Sequence, residues 1–243
     1  MINPKEARKR ILHLANLASK NGAHVGSALS LVELLSASLQ DESINLILSK
    51  GHGALALYVI LEQLGYIKKQ ELDMFNSNGT RYYCHAVRDQ KRKIEFSGGS
   101  LGLGLSITIG RALVSPKKEF IVIIGDGELD EGICWEAILF CSQHKLKNLT
   151  IIIDRNNQQS DGRKDEIISQ INLHNKLDGW EFHLSELDGH NIREIRKELS
   201  KEKSKTKIII ANTIKGNGYQ KFENNPDWHY GIVSNKILNE CLE

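Results

Sequence analysis

At 243 residues with 40% hydrophobic and 26% charged side chains, the chain fits one large α/β domain and excludes a disordered or fibrous class. A net charge of +2 argues neither for nor against a polyanionic partner, and the basic runs RDQKRK (88–93) and KEKSKTK (201–207) read as solvated faces, so no nucleic-acid partner is expected. No apolar run reaches membrane-spanning length, no signal-type stretch follows Met1, and Cys84, Cys134, Cys141 and Cys241 show no metal-type spacing; a cytoplasmic protein with free thiols and no membrane contact is expected.

Residues 4–20 place Ile11, Leu14, Ala15 and Ala18 on one face of an amphipathic helix, with Pro4 in its first turn and Asn21-Gly22 as its stop. His24 sits in the turn Gly22-Ala-His-Val-Gly-Ser27, before a helix from Leu29 to Leu39. A lone histidine in a loop is more often structural than catalytic. A short strand, Leu46 to Leu48, leads into Ser49-Lys50-Gly51-His52-Gly53 and an apolar helix over 54–64. A strand that ends in Gly-His-Gly before a helix is a strand-end ligand geometry, whereas Lys50 reads as solvated. A helix over 70–77 leads into irregular chain that carries Cys84-His85. Ser97-Gly-Gly-Ser-Leu-Gly-Leu-Gly104 then opens a helix over 101–114, and its glycines permit close approach to an anion or ring, or else helix packing.

The chain is organised around Gly125 to Gly162. The apolar run EFIVII (119–124) delivers Gly125-Asp126-Gly127, and LTIIID (149–154) delivers Asn156 and Asn157. Between them, Ile133, Ala137, Ile138 and Cys141 recur at helical spacing over Glu131 to His144. Strand, helix, strand is the natural reading, and such a crossover makes the strands parallel. Asp126 and Asn156 then share the carboxyl edge of the sheet, where open α/β folds bind ligands. A carboxylate and an amide oxygen are hard ligands that suit magnesium and leave room for water and phosphate in its octahedron. Gly125 and Gly127 admit phosphate oxygens, and Gly127 precedes a helix amino end that favours anions. The stretch reads as a metal–diphosphate clamp, against a plain strand-to-helix turn with Asp126 as cap.

Beyond Gly162 the pattern predicts a helix near 165–176, a strand from Trp180 to Leu184, and the turn Asp188-Gly-His-Asn191 with Asn191 as helix cap and His190 structural. A helix over 191–203, a strand from Lys207 to Asn212, the turn Thr213–Gly218, the loop Asn225–Gly231 with His229, and a helix over 233–241 complete the chain. Alternating strands and helices predict a three-layer α/β domain spanning 1–243, with a mostly parallel sheet and helices on both faces.

Gly125-Asp126-Gly127, then 28 residues, then Asn156 resembles the thiamine-diphosphate motif. The wording GDGELDEG…DRNNQQSDG is similar to the transketolase branch of that superfamily, and most resembles the amino-terminal, diphosphate-binding half of a transketolase split over two chains. The resemblance runs from His24 to His229. It implies thiamine diphosphate as cofactor and Mg²⁺ (Ca²⁺ or Mn²⁺ can substitute), held by Asp126, Asn156 and the backbone carbonyl of Gln158, where the family has an apolar residue. It implies that Gly125, Asp126, Gly127, Glu128 and His52 bind at the diphosphate end, and that Gly99 and Leu101 pack on the cofactor rings. His24 would line the substrate channel, with Val25 in place of the family's proline. His85 would hold the donor's terminal hydroxyl, although Cys84 and Ala86 both depart from the family's Gly-His-Pro. His229 would reach the thiazolium and the donor carbonyl.

The family's pyrimidine-binding domain, with the glutamate that protonates the cofactor, has no counterpart here. The resemblance therefore implies a carboxy-terminal partner subunit, self-association near Glu131 and a two-plus-two heterotetramer, with an apolar face around Leu101, Ile133 and Trp135. The implied function is transfer of a two-carbon ketol unit from a ketose phosphate to an aldose. A 1-deoxyxylulose-phosphate-synthase-like or 2-oxoacid-dehydrogenase-like subunit, and a catalytically silent binding subunit, stand as alternatives.

Overall fold

The computed structural model describes residues 2–168 and 172–243. Its strands are β1 (Asn45–Leu48), β2 (Phe120–Gly125), β3 (Leu149–Arg155), β4 (His183–Asp188) and β5 (Lys207–Asn212). Before β2 come helices α1 (Pro4–Leu17), α2 (Val25–Ser30), α3 (Val32–Ser38), α4 (Ala54–Gln63), α5 (Lys69–Leu72) and α6 (Leu103–Val114). After it come α7 (Gly132–His144), α8 (Lys164–Ile167), α9 (Leu173–Asp178), α10 (Ile192–Ser200) and α11 (Asn235–Leu242). The sheet order is β1-β2-β3-β5-β4, and every pairing in it is parallel.

The three layers follow from the alternation of side chains along buried strands. Ile121, Ile123, Ile152 and Ile209 face the layer of α1 to α4 and α10. Val122, Ile124, Ile151, Ile153, Ile208 and Ile210 face α6, α7 and α9. Chain direction explains which helix lies where. The step from β2 to β3 runs one way along the sheet with α7 on one face. The step from β4 to β5 runs back the other way, so a right-handed crossover puts α10 on the opposite face.

Several expected boundaries move. The helix expected over Leu29–Leu39 begins at Val25 and is interrupted at Leu31. Val25 to Ser38 is buried on every side, so no apolar stripe marks where it starts. The strand expected over Trp180–Leu184 runs instead from His183 to Asp188, because Trp180 and Phe182 stack with ring centroids 6.3 Å apart and pack into the core outside the ladder. The helix expected over 70–77 ends at Leu72. The stretch expected as one helix over 165–176 holds α8 and α9, with 169–171 outside the described residues. The amino-terminal helix stops at Leu17, and a 3₁₀ turn, Ser19–Asn21, carries the chain to Gly22. Asn3 and Asn191 cap their helices through side-chain oxygens. All four cysteines are free thiols. Among the described residues, no helix is long and apolar enough to cross a membrane.

Candidate active site

Register brings the site together. Gly125 of β2 pairs with Asp154 of β3, which pairs with Ala211 of β5. Four of the five strands therefore deliver their next residues to one edge: Lys50 after β1, Asp126 after β2, Asn156 at the end of β3 and Thr213 after β5. The turn after β1 is held tightly against the one before α6. A Cβ on Gly98 would lie 2.8 Å from the Gly51 Cα, so that approach requires glycine. On the far side, Ala23 and Gly231 exchange backbone hydrogen bonds of 2.9 and 3.0 Å, which bring the His24 and His229 turns side by side.

The result is a cavity of about 300 Å³. His24, His52, His85, His229, Gly99, Leu101, Gly125, Asp126, Gly127, Glu128, Asn156 and Gln158 all line it. Every side chain assigned from the sequence therefore meets in one place, over 200 residues of chain apart at the extremes. His24 is the hub of the histidines, with ring centroids 5.3 Å from His85, 5.3 Å from His229 and 6.0 Å from His52.

Lys50 is not solvated. It is 1% exposed and forms an ion pair with Asp154, itself fully buried. The expectation failed because sequence context shows a lysine beside a glycine turn but not the carboxylate 104 residues away. Asp154 also accepts from Thr213 Oγ1, from Ser30 Oγ at 2.9 Å and from Asn156 Nδ2 at 3.4 Å. Burial alone would raise its pKa, but the Lys50 charge and these hydrogen bonds hold its carboxyl below the ordinary range. Asp154 thus orients the Asn156 amide, whose oxygen accepts from the Gln158 N–H at 3.1 Å.

Asp126 lies on the other side of that network. It accepts from the Asn157 N–H at 2.7 Å and the Gly127 N–H at 2.9 Å. Asn157 itself stands at φ +58°, a left-handed conformation that asparagine tolerates, so the second asparagine of the pair serves the turn. Burial, and then the neighbouring Asp154 charge, push the Asp126 pKa up to about 6. Glu128 lines the cavity, but its carboxylate accepts from Ser49 Oγ at 2.7 Å, Gly125 N at 2.8 Å and Gly102 N at 2.9 Å. Its structural work is to tie the turns after β1 and β2 to the start of α6. Gly127 does not lead straight into an α-helix; a 3₁₀ turn, Asp126–Asp130, intervenes before α7.

The histidines are kept neutral. Burial, and then the charges of His229, His85 and Lys215, lower the His24 pKa to about 3. Burial, Lys215 and Lys50 bring His229 to about 4. His52 is driven well down by burial and Lys50, and His85 down by burial. Lys215, 1% exposed, is a second buried cation, and the sequence offered no sign of it beyond its place in a turn that follows β5. His190 is structural as expected: Nδ1 lies 3.0 Å from Glu33 Oε2, and Nε2 accepts from the Ile214 N–H at 2.8 Å.

A metal and a diphosphate can be tested against these residues. At Gly125 (φ −88°) an added Cβ would meet no neighbouring atom closer than Lys50 at 3.8 Å, so the protein's own packing does not require glycine where the cavity needs space. Gln158 Oε1 is buried without a hydrogen-bond partner. Among the described residues no group of three His, Cys, Asp or Glu side chains could hold an ion. Asp126 brings a carboxylate and Asn156 an amide oxygen to the same cavity, hard donors of the kind magnesium takes alongside phosphate oxygens.

Two outcomes follow. Asp154→Asn leaves Lys50 buried without its counter-charge and lowers the unfolding free energy by about 3–5 kcal/mol in urea titration; adding Lys50→Met returns part of that loss, as coupled sites require. Asp126→Asn tests the raised carboxyl. A group whose folded pKa is about 6 stabilises most when protonated, and loses that contribution as pH rises through 6. In thermal denaturation without metal, the stability of Asp126→Asn relative to the parent chain therefore rises between about pH 4 and about pH 7.

Residues 6–236 match the family model described as transketolase, thiamine diphosphate binding domain. The chain is 33% identical over 258 residues to the first of the subunits of an apulose-4-phosphate transketolase from Actinobacillus succinogenes, covering 98% of this chain and 93% of that protein. It is 36% identical over 228 residues to a 6-deoxy-6-sulfo-D-fructose transketolase subunit from Clostridium sp., covering 86% and 83%. Among solved structures, a transketolase from Leishmania mexicana superposes with a TM-score of 0.86 over 99% of this chain at 23% identity, which speaks for the fold; the chain spans 41% of that protein's length. The chain belongs to the transketolase family, and residues 6–236 form its thiamine-diphosphate-binding domain.

Proposed function

We propose that this chain, completed by a partner that carries a pyrimidine-binding domain, transfers a two-carbon ketol unit from a ketose phosphate or similar ketose to an aldose. The observation that carries the reading is the meeting of four neutral histidines with the Asp126–Asn156 pair in one cavity. Thiamine diphosphate supplies the nucleophilic carbon and the electron sink for carbon–carbon cleavage. Mg²⁺, or Ca²⁺ or Mn²⁺ in its place, would be held by the Asp126 carboxylate, the Asn156 amide oxygen and the Gln158 carbonyl. Lys50 and His52, which line the cavity together with Gly125 and Asp126, would meet the diphosphate. Gly99 and Leu101 form the wall against which the cofactor rings would pack.

The chain's own part is to bind, orient and move protons. His24, His85 and His229 face the donor oxygens as neutral imidazoles, suited to donating a hydrogen bond to an oxygen that gains charge. The two relatives named above are transketolase subunits for apulose-4-phosphate and for 6-deoxy-6-sulfo-D-fructose; a modified sugar of that class is the donor we infer here.

The apolar face that would meet a second chain is displaced from the expected one. Ile133, Trp135 and Leu101 are half-buried. The exposed apolar side chains of α6 and α7 include Leu103 (41%), Ile107 (45%), Leu113 and Val114 on α6, with Leu139 (61%) and Phe140 (39%) on the adjacent α7. Such a patch marks an interaction site. It supports pairing through α6 and α7, with Glu131 at the start of α7, in a two-plus-two particle. Cytoplasmic location accords with free thiols.

A coupled assay with a ketose phosphate donor and an aldose acceptor tests the proposal. Neither chain alone turns over, the mixture does, and His229→Ala or His24→Ala lowers kcat in the mixture by about 10²–10⁴-fold with cofactor affinity little changed. Ketol transfer by this chain alone overturns the split-enzyme reading, and equal loss of cofactor binding and turnover makes the histidines structural.

A further inference from the structure

Lys215, in the turn that follows β5, is the side chain whose hydrogen bond engages His229. Its Nζ stands 2.9 Å from His229 Nδ1 and donates to the Gln159 carbonyl at 3.0 Å. An ammonium group has three donors and no acceptor. A nitrogen that takes a hydrogen bond from it must present a lone pair, so the ring proton belongs on the other nitrogen.

We propose that Lys215 is a positioning residue that fixes His229 as its Nε2–H tautomer, so that His229 meets a ligand in the cavity as a hydrogen-bond donor. The proposal rests on the ketol-transfer reading of the cavity and adds to it the device that sets one histidine's role. With Nδ1 engaged by Lys215, Nε2 is what His229 has to offer a ligand. A ring in the Nδ1–H form would present a lone pair at that point and could not donate to a carbonyl oxygen.

The turn that carries Lys215 is built to hold it still. The Gly216 N–H donates to the Gly26 carbonyl at 3.0 Å, and the Asn224 N–H donates to the Lys215 carbonyl at 2.9 Å. Gly216 stands at φ +84°, and a Cβ there would lie 2.1 Å from the Phe222 carbonyl oxygen. The preceding Ile214 N–H is held by His190, which Glu33 orients in turn. His229 is fixed from its own side by the 3₁₀ turn Pro226–Trp228, capped by Asn225, and by Trp228 packed edge-on to the buried Phe222. The charged and titratable groups that face His229 are Lys215, Lys50, Asp161, His24, His52 and His85. Burial, and then Lys50, lower the Lys215 pKa to about 8, which leaves it mostly protonated at neutral pH.

The test uses the full chain labelled with ¹⁵N-histidine, as parent, Lys215→Met and Lys215→Arg, with His229→Gln to assign the resonance. Long-range ¹H–¹⁵N spectra at pH 7 show His229 as the Nε2–H tautomer in the parent and in Lys215→Arg, which keeps a donor-only cation. In Lys215→Met the ring becomes a mixture of tautomers or changes to Nδ1–H. Its titration moves upward from about 4, because a cation that lowers it is gone. With the partner chain and saturating cofactor, Lys215→Met lowers kcat by about 10–100-fold while KM changes less than about threefold, and Lys215→Arg restores most of the rate. A parent ring in the Nδ1–H form, or an unchanged His229 spectrum in Lys215→Met, overturns the proposal. The parent spectrum alone decides the tautomer should Lys215→Met fail to fold. A parent Nε2–H ring in a complex that turns over no ketose sustains the role of Lys215 and removes the ketol-transfer reading instead.

Discussion

A buried ion pair between Lys50 and Asp154 holds the carboxyl edge of this sheet together. It joins the turn after β1 to the end of β3, and through Ser30 and Thr213 it reaches α2 and the end of β5. Such a pair is a poor source of net stability, since desolvation of two ions offsets their attraction. Its value is geometric. Removing either partner strands a charge in the interior, so four separate segments are committed to one arrangement. The same pair sets the local field. The Lys50 charge helps to keep His52 and His229 neutral, and the Asp154 charge helps to raise the Asp126 carboxyl.

That field matches what a metal–diphosphate site needs. A carboxyl kept high by burial and a like charge gains from an added cation, and one held beside an amide and a carbonyl oxygen can take it with hard ligands alone. The neutral imidazoles that line the same cavity do not repel such a cation. Glu128 contributes from outside this exchange, since its acceptors are spent on Ser49, Gly102 and Gly125.

Much of this was legible in the sequence because it is local. EFIVII before Gly125 and LTIIID before Asn156 are strands because they are apolar runs that end in turn residues, and their spacing fixes parallel pairing. The histidine turns at 24, 52 and 229 stood out through their resemblance to transketolase motifs, and His85 through its position in that pattern. Long-range partners left no trace. Lys50 looked solvated because the carboxylate that buries it is on another strand, and Lys215 looked like any turn lysine. The break at Leu31 escaped notice because Val25 to Ser38 is buried all round, so helical periodicity vanishes. The strand from His183 escaped for the opposite reason: Trp180 and Phe182 are the apolar signal, but they pack outside the ladder. The apolar face was expected around Leu101, Ile133 and Trp135, which are half-buried, whereas Leu103, Ile107, Leu139 and Phe140 on α6 and α7 are exposed.

The central claim is that this cavity binds thiamine diphosphate through a metal shared with Asp126 and Asn156. Calorimetric titration of thiamine diphosphate into the two-chain complex, with and without Mg²⁺, addresses it directly. The account predicts metal-dependent binding in the parent that is lost in Asp126→Ala and in Asn156→Ala, each of which removes a hard oxygen ligand. Undiminished affinity in both variants, or binding indifferent to Mg²⁺, would contradict it.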